Sequence, residues 1–313
     1  MPFDNMIDRS GSQALMPEEV SREIVKNVPT KSTVMQLATR AQNMSRKQRR
    51  VPVLSMFPTA YFVNGDTGLK KTTEVEWDNI FFDAEELACI VPIPEAVLDD
   101  ADYDIWGEIR PLIEESLGVA IDDAVLFGNN APGPWPTDIF TAATNAGNIV
   151  AQGAIGDLYD DLLGVNGVIS LLEQDGFMVN GHISDMGMRG QYRGLRDLQG
   201  QPLFKSGIQG PTSYELDGAP IYFPENGVMD PAVCLQFSGN WKKVVYTMRQ
   251  DITYKILDQA VIQDAAGNIV YNLAQQDMVA LRVVMRLAWQ VPNPINRLQP
   301  NRALRYPVAV YTP

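Results

Sequence analysis

Few side chains in this 313-residue sequence could carry out chemistry, and they are scattered. His182 is the single histidine. A metal cluster has no second imidazole to draw on, and any Ser-His-Asp or Cys-His arrangement must use this one residue. It lies in VNGHISDMGMRGQYRG, a Gly-rich polar run that reads as a loop or strand end, so its expected role is structural. Cys89 and Cys234 sit far apart, each in an apolar run. They read as two buried thiols, not as a disulfide or a metal pair. Glu114, Glu115, Asp122 and Asp123 crowd into one stretch and could serve paired-carboxylate or metal-assisted hydrolysis. Most of them fall off the apolar stripe of that stretch, which favours a solvated or subunit-facing surface. GDTGLKKTT at 65–73 looks like a phosphate loop, but it lacks the Gly-x4-Gly-Lys-Ser/Thr spacing. Strand-like EVEW follows it, where a phosphate loop opens a helix. No enzyme, cofactor or metal is expected.

The elements that must position these residues follow from periodicity. In DYDIWGEIRPLIEESLGVAIDDAVLFGNN, residues 102–130, the apolar set Ile109, Leu112, Ile113, Leu117, Ala120, Ile121, Ala124 and Val125 forms one helical stripe. Asp102 or Asp104 can cap its start, Pro111 kinks or restarts it, and Gly128 ends it. Upstream, LMPEEVSREIVKNV and STVMQLATRAQNM predict two short helices, the second capped by Ser32. Neither has a neighbouring apolar segment, so both must dock on something distant, in this chain or in another. VPVLSMF, TAYFV and EVEWDNIFFDAEELACIVPI read as strands around the turn-forming NGDTG, a long hairpin with a polar tip. TAATNAGNIV reads as a loop or a hairpin. Residues 153–175 read as helix, and the Gly- and Pro-rich stretch after them as short strands and turns. WKKVVYTMRQDITYKIL, AVIQDAAGNIVYNLA and DMVALRVVMRLAWQVPNP are strands, the middle one turning at DAAGN.

Composition bounds the function further. At 45% hydrophobic and 20% charged the chain is globular. It shows no apolar run of membrane-spanning length and no signal pattern, which predicts assembly in the cytoplasm. Lys and Arg number 25 against 38 acids, a net charge of -13. Such a surface repels nucleic acid overall. Yet Arg22, Lys26, Lys31, Arg40, Arg46, Lys47, Arg49 and Arg50 lie in a span with one acid, Glu23. A basic arm therefore precedes an acidic body.

The order of these pieces resembles the major capsid proteins of tailed bacteriophages, the family with the Hong Kong 97-like fold. The resemblance is carried by Leu98, Asp99 and Asp100 before the long helix, and by Ile121, Asp122 and Gly128 within and after it. It continues in GLRDLQGQPLF, with Arg193 or Arg196, Asp197 and Gly200, and in LDGAPIYF, with Leu216, Gly218 and Pro220. FSGNWKKVVYTMRQDITYKI and VALRVVMRLAWQVPNP resemble the family's late strands. Asn240-Trp241 in place of Asp-Phe, and Ile93-Pro94 where Ser is frequent, depart from its pattern.

The resemblance implies an α+β fold with an N-terminal arm over 1–54 and an extended β-hairpin loop over 55–83. It implies a peripheral domain over 84–149 and 241–313 that carries the spine helix, and an axial domain over 150–240. The function implied is a shell subunit that assembles through hexamers and pentamers into an icosahedral virion capsid around double-stranded DNA, held by non-specific contact. A separate scaffolding protein and a portal protein are the implied partners, with room for a decoration protein. Arg40, Arg46, Lys47, Arg49, Arg50, Lys70, Lys71, Trp77, Glu114 and Glu115 are the expected inter-subunit contacts. Some relatives cross-link a loop Lys to an Asn; Lys70 or Lys71 with Asn293, Asn296 or Asn301 would be the residues here. Two other functions compete: an encapsulin-like cellular compartment shell, and a soluble hydrolase built on Asp122 and Asp123.

Overall fold

The computed structural model describes residues 32–63, 68–100, 104–197, 199–201, 203, 214–264 and 266–313. The expected helix over 15–28, the hairpin tip at 64–67 and Asp102 lie outside them. Helix α3 (Ile105–Leu126) is a single continuous element, with Pro111 inside it and Asp104 at its N-cap position. Gly128, at φ +73°, stops it. Ile113, Leu117, Ile121, Ala124 and Val125 are buried as the stripe requires, while Leu112 is exposed.

Two sheets flank this helix. One is four-stranded, in the order β1 (Thr39–Arg40), β10 (Val245–Leu257), β13 (Met278–Gln290), β4 (Glu85–Pro94). The long pairs β10–β13 and β13–β4 are antiparallel; β1 joins β10 in parallel. Leu117, Ile113, Leu281 and Val283 bury the helix against this sheet. After β4 the chain makes the short helix α2 (Glu95–Asp99). A small hairpin, β11 (Val261–Gln263) with β12 (Ile269–Asn272), turns at Asp264–Asn268 as DAAGN predicts.

The second sheet has six strands in the order β5 (Ile149–Ala151), β14 (Val308–Thr312), β9 (Gln236–Gly239), β6 (Gly181–Ser184), β8 (Ala219–Tyr222), β7 (Glu215–Leu216). Helices α5 (Leu158–Leu163), α6 (Val168–Gln174) and α7 (Met188–Gly194) accompany it. The two sheets share one core: Ile121 and Val125 of α3, Leu287 and Trp289 of β13, Phe237 of β9 and Val308 and Val310 of β14 belong to one buried cluster.

Several expectations are corrected. TAATNAGNIV is not a hairpin: Ile139–Ala146 is a helix, α4, whose N-cap Asp138 accepts from Thr141 N and whose end is set by Gly147. Residues 153–175 hold two helices, because Gly164–Gly167 breaks the pattern between α5 and α6. TAYFV is irregular; the hairpin strands are β2 (Gln48–Met56) and β3 (Glu76–Asp83), so a boundary at residue 54 cuts through one of them. The span 241–313 is divided, since β10 and β13 pair beside α3 while β14 pairs with β9 and β5.

The arm also differs. Helix α1 (Thr33–Leu37) has Ser32 as its cap, as expected, but it docks on its own chain. Val34 enters the shared core and Met44 is buried under the hairpin. Backbone bonds from Thr39 N to Val244 O, Ala41 N to Tyr246 O and Met44 N to Met248 O tie the strand to β10.

Candidate inter-subunit surface

Alternation along a strand gives the β2–β3 ribbon two faces. Val51, Val53, Ile80 and Phe82 face inward, onto Met44, Ala84 and Ala288. The register puts Arg50 opposite Phe81, Pro52 opposite Asn79 and Leu54 opposite Trp77 on the other face. Trp77 is 66% exposed and Phe81 44%. Beyond the strands Phe62 and Leu69 are almost fully exposed, with Tyr61 and Val63 beside them. Scattered apolar residues on a surface mean little, but aromatic residues gathered on one projecting element mark a contact.

The basic residues group at the root of this ribbon. Arg40 Nη2 donates to Asn43 Oδ1 at 3.2 Å, and Arg49 Nη1 donates to the Gln42 carbonyl at 3.2 Å. Arg46 and Arg50 are exposed beside them. Lys47 is paired within the chain, 3.1 Å from Glu85. Lys70 and Lys71 lie exposed on the returning limb of the loop; the Lys71 ammonium sits 5.9 Å from the Tyr61 ring centre. Glu114 and Glu115 are half-buried on α3, and Glu114 Oε1 accepts from Tyr254 OH at 2.9 Å. The ribbon root thus brings Arg40, Arg46, Lys47, Arg49 and Arg50 together. Lys70, Lys71 and Trp77 belong to the loop beyond it, and Glu114 and Glu115 to the helix. Of the three asparagines considered for cross-linking, Asn293 is buried, Asn296 half-buried and Asn301 exposed.

The groups with catalytic character are committed to structure. Asp122 is 1% exposed and accepts from Ser32 Oγ at 2.5 Å, Thr33 N at 2.7 Å and Val34 N at 3.2 Å. It therefore supplies the first turn of α1 with the acceptor its free N–H groups need. Burial pushes its pKa above the usual carboxylate range despite those bonds. This corrects the solvated reading of that residue. Asp123 accepts instead from Asn129 Nδ2 at 2.8 Å, so the two adjacent carboxylates do not face one site.

His182 is not in a loop. It sits in mid-sheet on β6, fully buried. Nε2 donates to the Leu216 carbonyl at 3.1 Å, which leaves Nδ1 as acceptor toward Ser238 Oγ at 2.9 Å. Burial lowers its pKa to about 4. The preceding Gly181, whose flexibility suggested a loop, is there for space: the Trp241 indole lies 3.3 Å from where a Cβ would stand. Cys234 is buried with its thiol pushed up by burial, whereas Cys89 is only half-buried. Among the described residues no group of three or more His, Cys, Asp and Glu side chains gathers as a metal set. No described helix is long and apolar enough to cross a membrane.

Comparison with known proteins matches the phage capsid family over residues 12–297. The chain belongs to the phage capsid family. This capsid protein is 26% identical over 293 residues to the major capsid protein of Staphylococcus phage 80alpha, covering 92% of this chain and 85% of that one. A solved structure from Microbacterium phage Oxtober96 shares 32% identity at a TM-score of 0.86, over 99% of this chain and 100% of that one. One from Mycobacterium phage Adephagia shares 31% identity at a TM-score of 0.83, over 99% and 98%. The fold is of the Hong Kong 97-like, tailed-phage type, and the protein is a phage major capsid protein, a component of the virion.

Residue logic missed one element of this surface. The sequence places VPNP at the end of the last predicted strand, but β13 stops at Gln290 and residues 291–306 run on with Pro and Asn in abundance. Arg305 within that segment is 2% exposed, and its guanidinium bonds to Asn293, Gln299 and Pro300.

Proposed function

We propose that this capsid protein builds its shell by laying the exposed face of the β2–β3 ribbon and its loop across neighbouring copies. The observation that carries the reading is the outer face itself, where Trp77 and Phe81 stand in water on a two-stranded element whose other face is already buried. A second copy is the partner that removes this apolar area from solvent. Arg40, Arg46, Arg49, Arg50, Lys70 and Lys71 then meet acidic surface on neighbours, consistent with a net charge of -13. Glu115 is an acidic contact on the receiving side, while Lys47 and Glu114 act with in-chain partners already in place.

Hexamers and pentamers closing into an icosahedral shell around double-stranded DNA complete the proposal, with assembly in the host cytoplasm. A scaffolding protein, a portal and a decoration protein are its proposed partners. The role is structural; catalysis has no assigned site.

The test is electron microscopy with light scattering on the purified protein and on Trp77→Ala, each with its scaffold candidate. Wild type is expected to form megadalton particles. The variant is expected to keep the wild-type melting temperature and lose particles. A variant that forms particles at the wild-type level overturns the role of the ribbon face.

A further inference from the structure

The β2–β3 ribbon does not hang freely from the body. Its first limb is bonded at Leu54, whose carbonyl accepts from Ile295 N at 3.2 Å. The Arg297 guanidinium covers the Phe57 ring at 4.8 Å and reaches the Pro58 carbonyl at 3.4 Å. The second limb is held by Arg302, 3.0 Å from the Asp78 carboxylate. All these braces come from one stretch, residues 295–302.

That stretch has no regular structure beyond one short turn at Arg302–Leu304, yet it is fixed from within. Arg305 is buried and spans it. Its Nε donates to Asn293 Oδ1 at 2.9 Å and its Nη2 to the Asn293 carbonyl at 3.0 Å. Its Nη1 donates to the carbonyls of Gln299 at 2.8 Å and Pro300 at 3.0 Å. Asn293 Nδ2 donates back to the Arg305 carbonyl at 2.8 Å. A planar cation with five fixed donors is suited to closing a loop in one geometry.

Between two of its ribbon contacts, Ile295 and Arg297, the same stretch is bonded to the body of the six-stranded sheet. Asn296 Nδ2 donates to the Asp175 carbonyl, at the end of α6, at 2.6 Å. Gly176 allows the approach, since a Cβ there would stand 3.1 Å from that same amide nitrogen. The Asp175 carboxylate in turn accepts from Asn148 Nδ2 at 2.8 Å and Tyr306 N at 3.1 Å.

We infer that residues 293–305 are a strut that transmits the orientation of the six-stranded body to the ribbon, so that displacing one displaces the other. The segment holds the ribbon and the body at once, and the Arg305 clamp fixes it in one geometry, which is what separates a strut from a tether. The inference stands apart from the shell itself, because the coupling is a property of a single chain.

Hydrogen exchange on the unassembled full chain reads it. Asn296→Ala removes the bond to Asp175 and the acceptor of Gln299 N, and no side-chain bond to the ribbon. It is expected to speed exchange of the ribbon amides in 48–58 and 76–83 by about tenfold, with β10 and β13 unchanged. Arg297→Ala with Arg302→Ala should speed the ribbon alike and leave 170–176 protected. Arg305→Met should release both the ribbon and the body contact. A ribbon unmoved by Asn296→Ala, or a rise spread evenly over every strand, overturns the strut. If Arg305→Met does not fold, the other two variants decide the matter.

Discussion

Ser32 and Asp122, ninety positions apart, share a hydrogen bond of 2.5 Å inside the protein. Through it a residue of the spine helix caps a helix of the arm. Ser32 Oγ also accepts from Met35 N at 3.1 Å, and Asp122 takes the Thr33 and Val34 N–H groups. Asp122→Ala strands three buried donors at once. It should lower the unfolding free energy of the isolated chain by about 2–3 kcal/mol, read by urea denaturation. A loss below about 0.5 kcal/mol, the range of an ordinary surface substitution, would sink the idea.

The packing of the arm predicts the outcome of a truncation. Removing residues 1–50 takes away Val34 and Met44, which pack on the body, and the first three residues of β2. That protein should fail to fold natively. Far-UV circular dichroism and a thermal melt of the truncated chain check the outcome. A native-like melt after removal of 1–50 would refute the arm's structural part.

Acid sensitivity follows from His182. Its pKa falls from the usual 6.5 to about 4 in the folded chain, through burial. Between those values the unfolded chain binds a proton that the folded one does not. Stability is therefore full above pH 6.5, declines as pH falls, and stops declining from this source below about 4. The gap is worth roughly 3 kcal/mol. Asp122 opposes it, because a carboxylate raised by burial takes its proton earlier in the folded state and gains stability as pH falls. Urea unfolding of the isolated chain at a series of pH values checks the balance. His182→Gln should flatten the decline relative to wild type. Parallel wild-type and variant curves would rule out the histidine as its source.

What the sequence made legible was local. The stripe of α3 is a repeat of apolar residues at helical spacing, and the strands β10 and β13 are long runs of branched and aromatic residues. Each announces itself without reference to any partner. Asp122 was misplaced because a charged residue beside Ile121 reads as solvent-facing; only Ser32, far away, explains its burial. The helix α4 was missed because IFTAATNA mixes Thr and Asn with Ala, and the apolar side that buries Ile139 and Ala143 is short. For His182 the sequence left loop or strand end open, since the glycine that accommodates Trp241 also looks like a turn signal; the residue is the second of strand β6. Of the expected contact residues, those on the ribbon root were grouped by composition alone, and the strut that aims the ribbon was invisible. Its Arg305 binds carbonyl oxygens, and carbonyls leave no trace in residue type.

The place of β14 has a consequence for the order in which the protein can form. This strand lies between β9 and β5, so β5 has no other partner in the sheet. It is also the last of the six to be synthesised. The sheet's interior therefore stays open while residues 150–240 are already complete, and it closes only when 308–312 arrive. Contacts of such long separation are slow to find. A half-made chain thus lacks both its finished sheet and the strut that precedes β14.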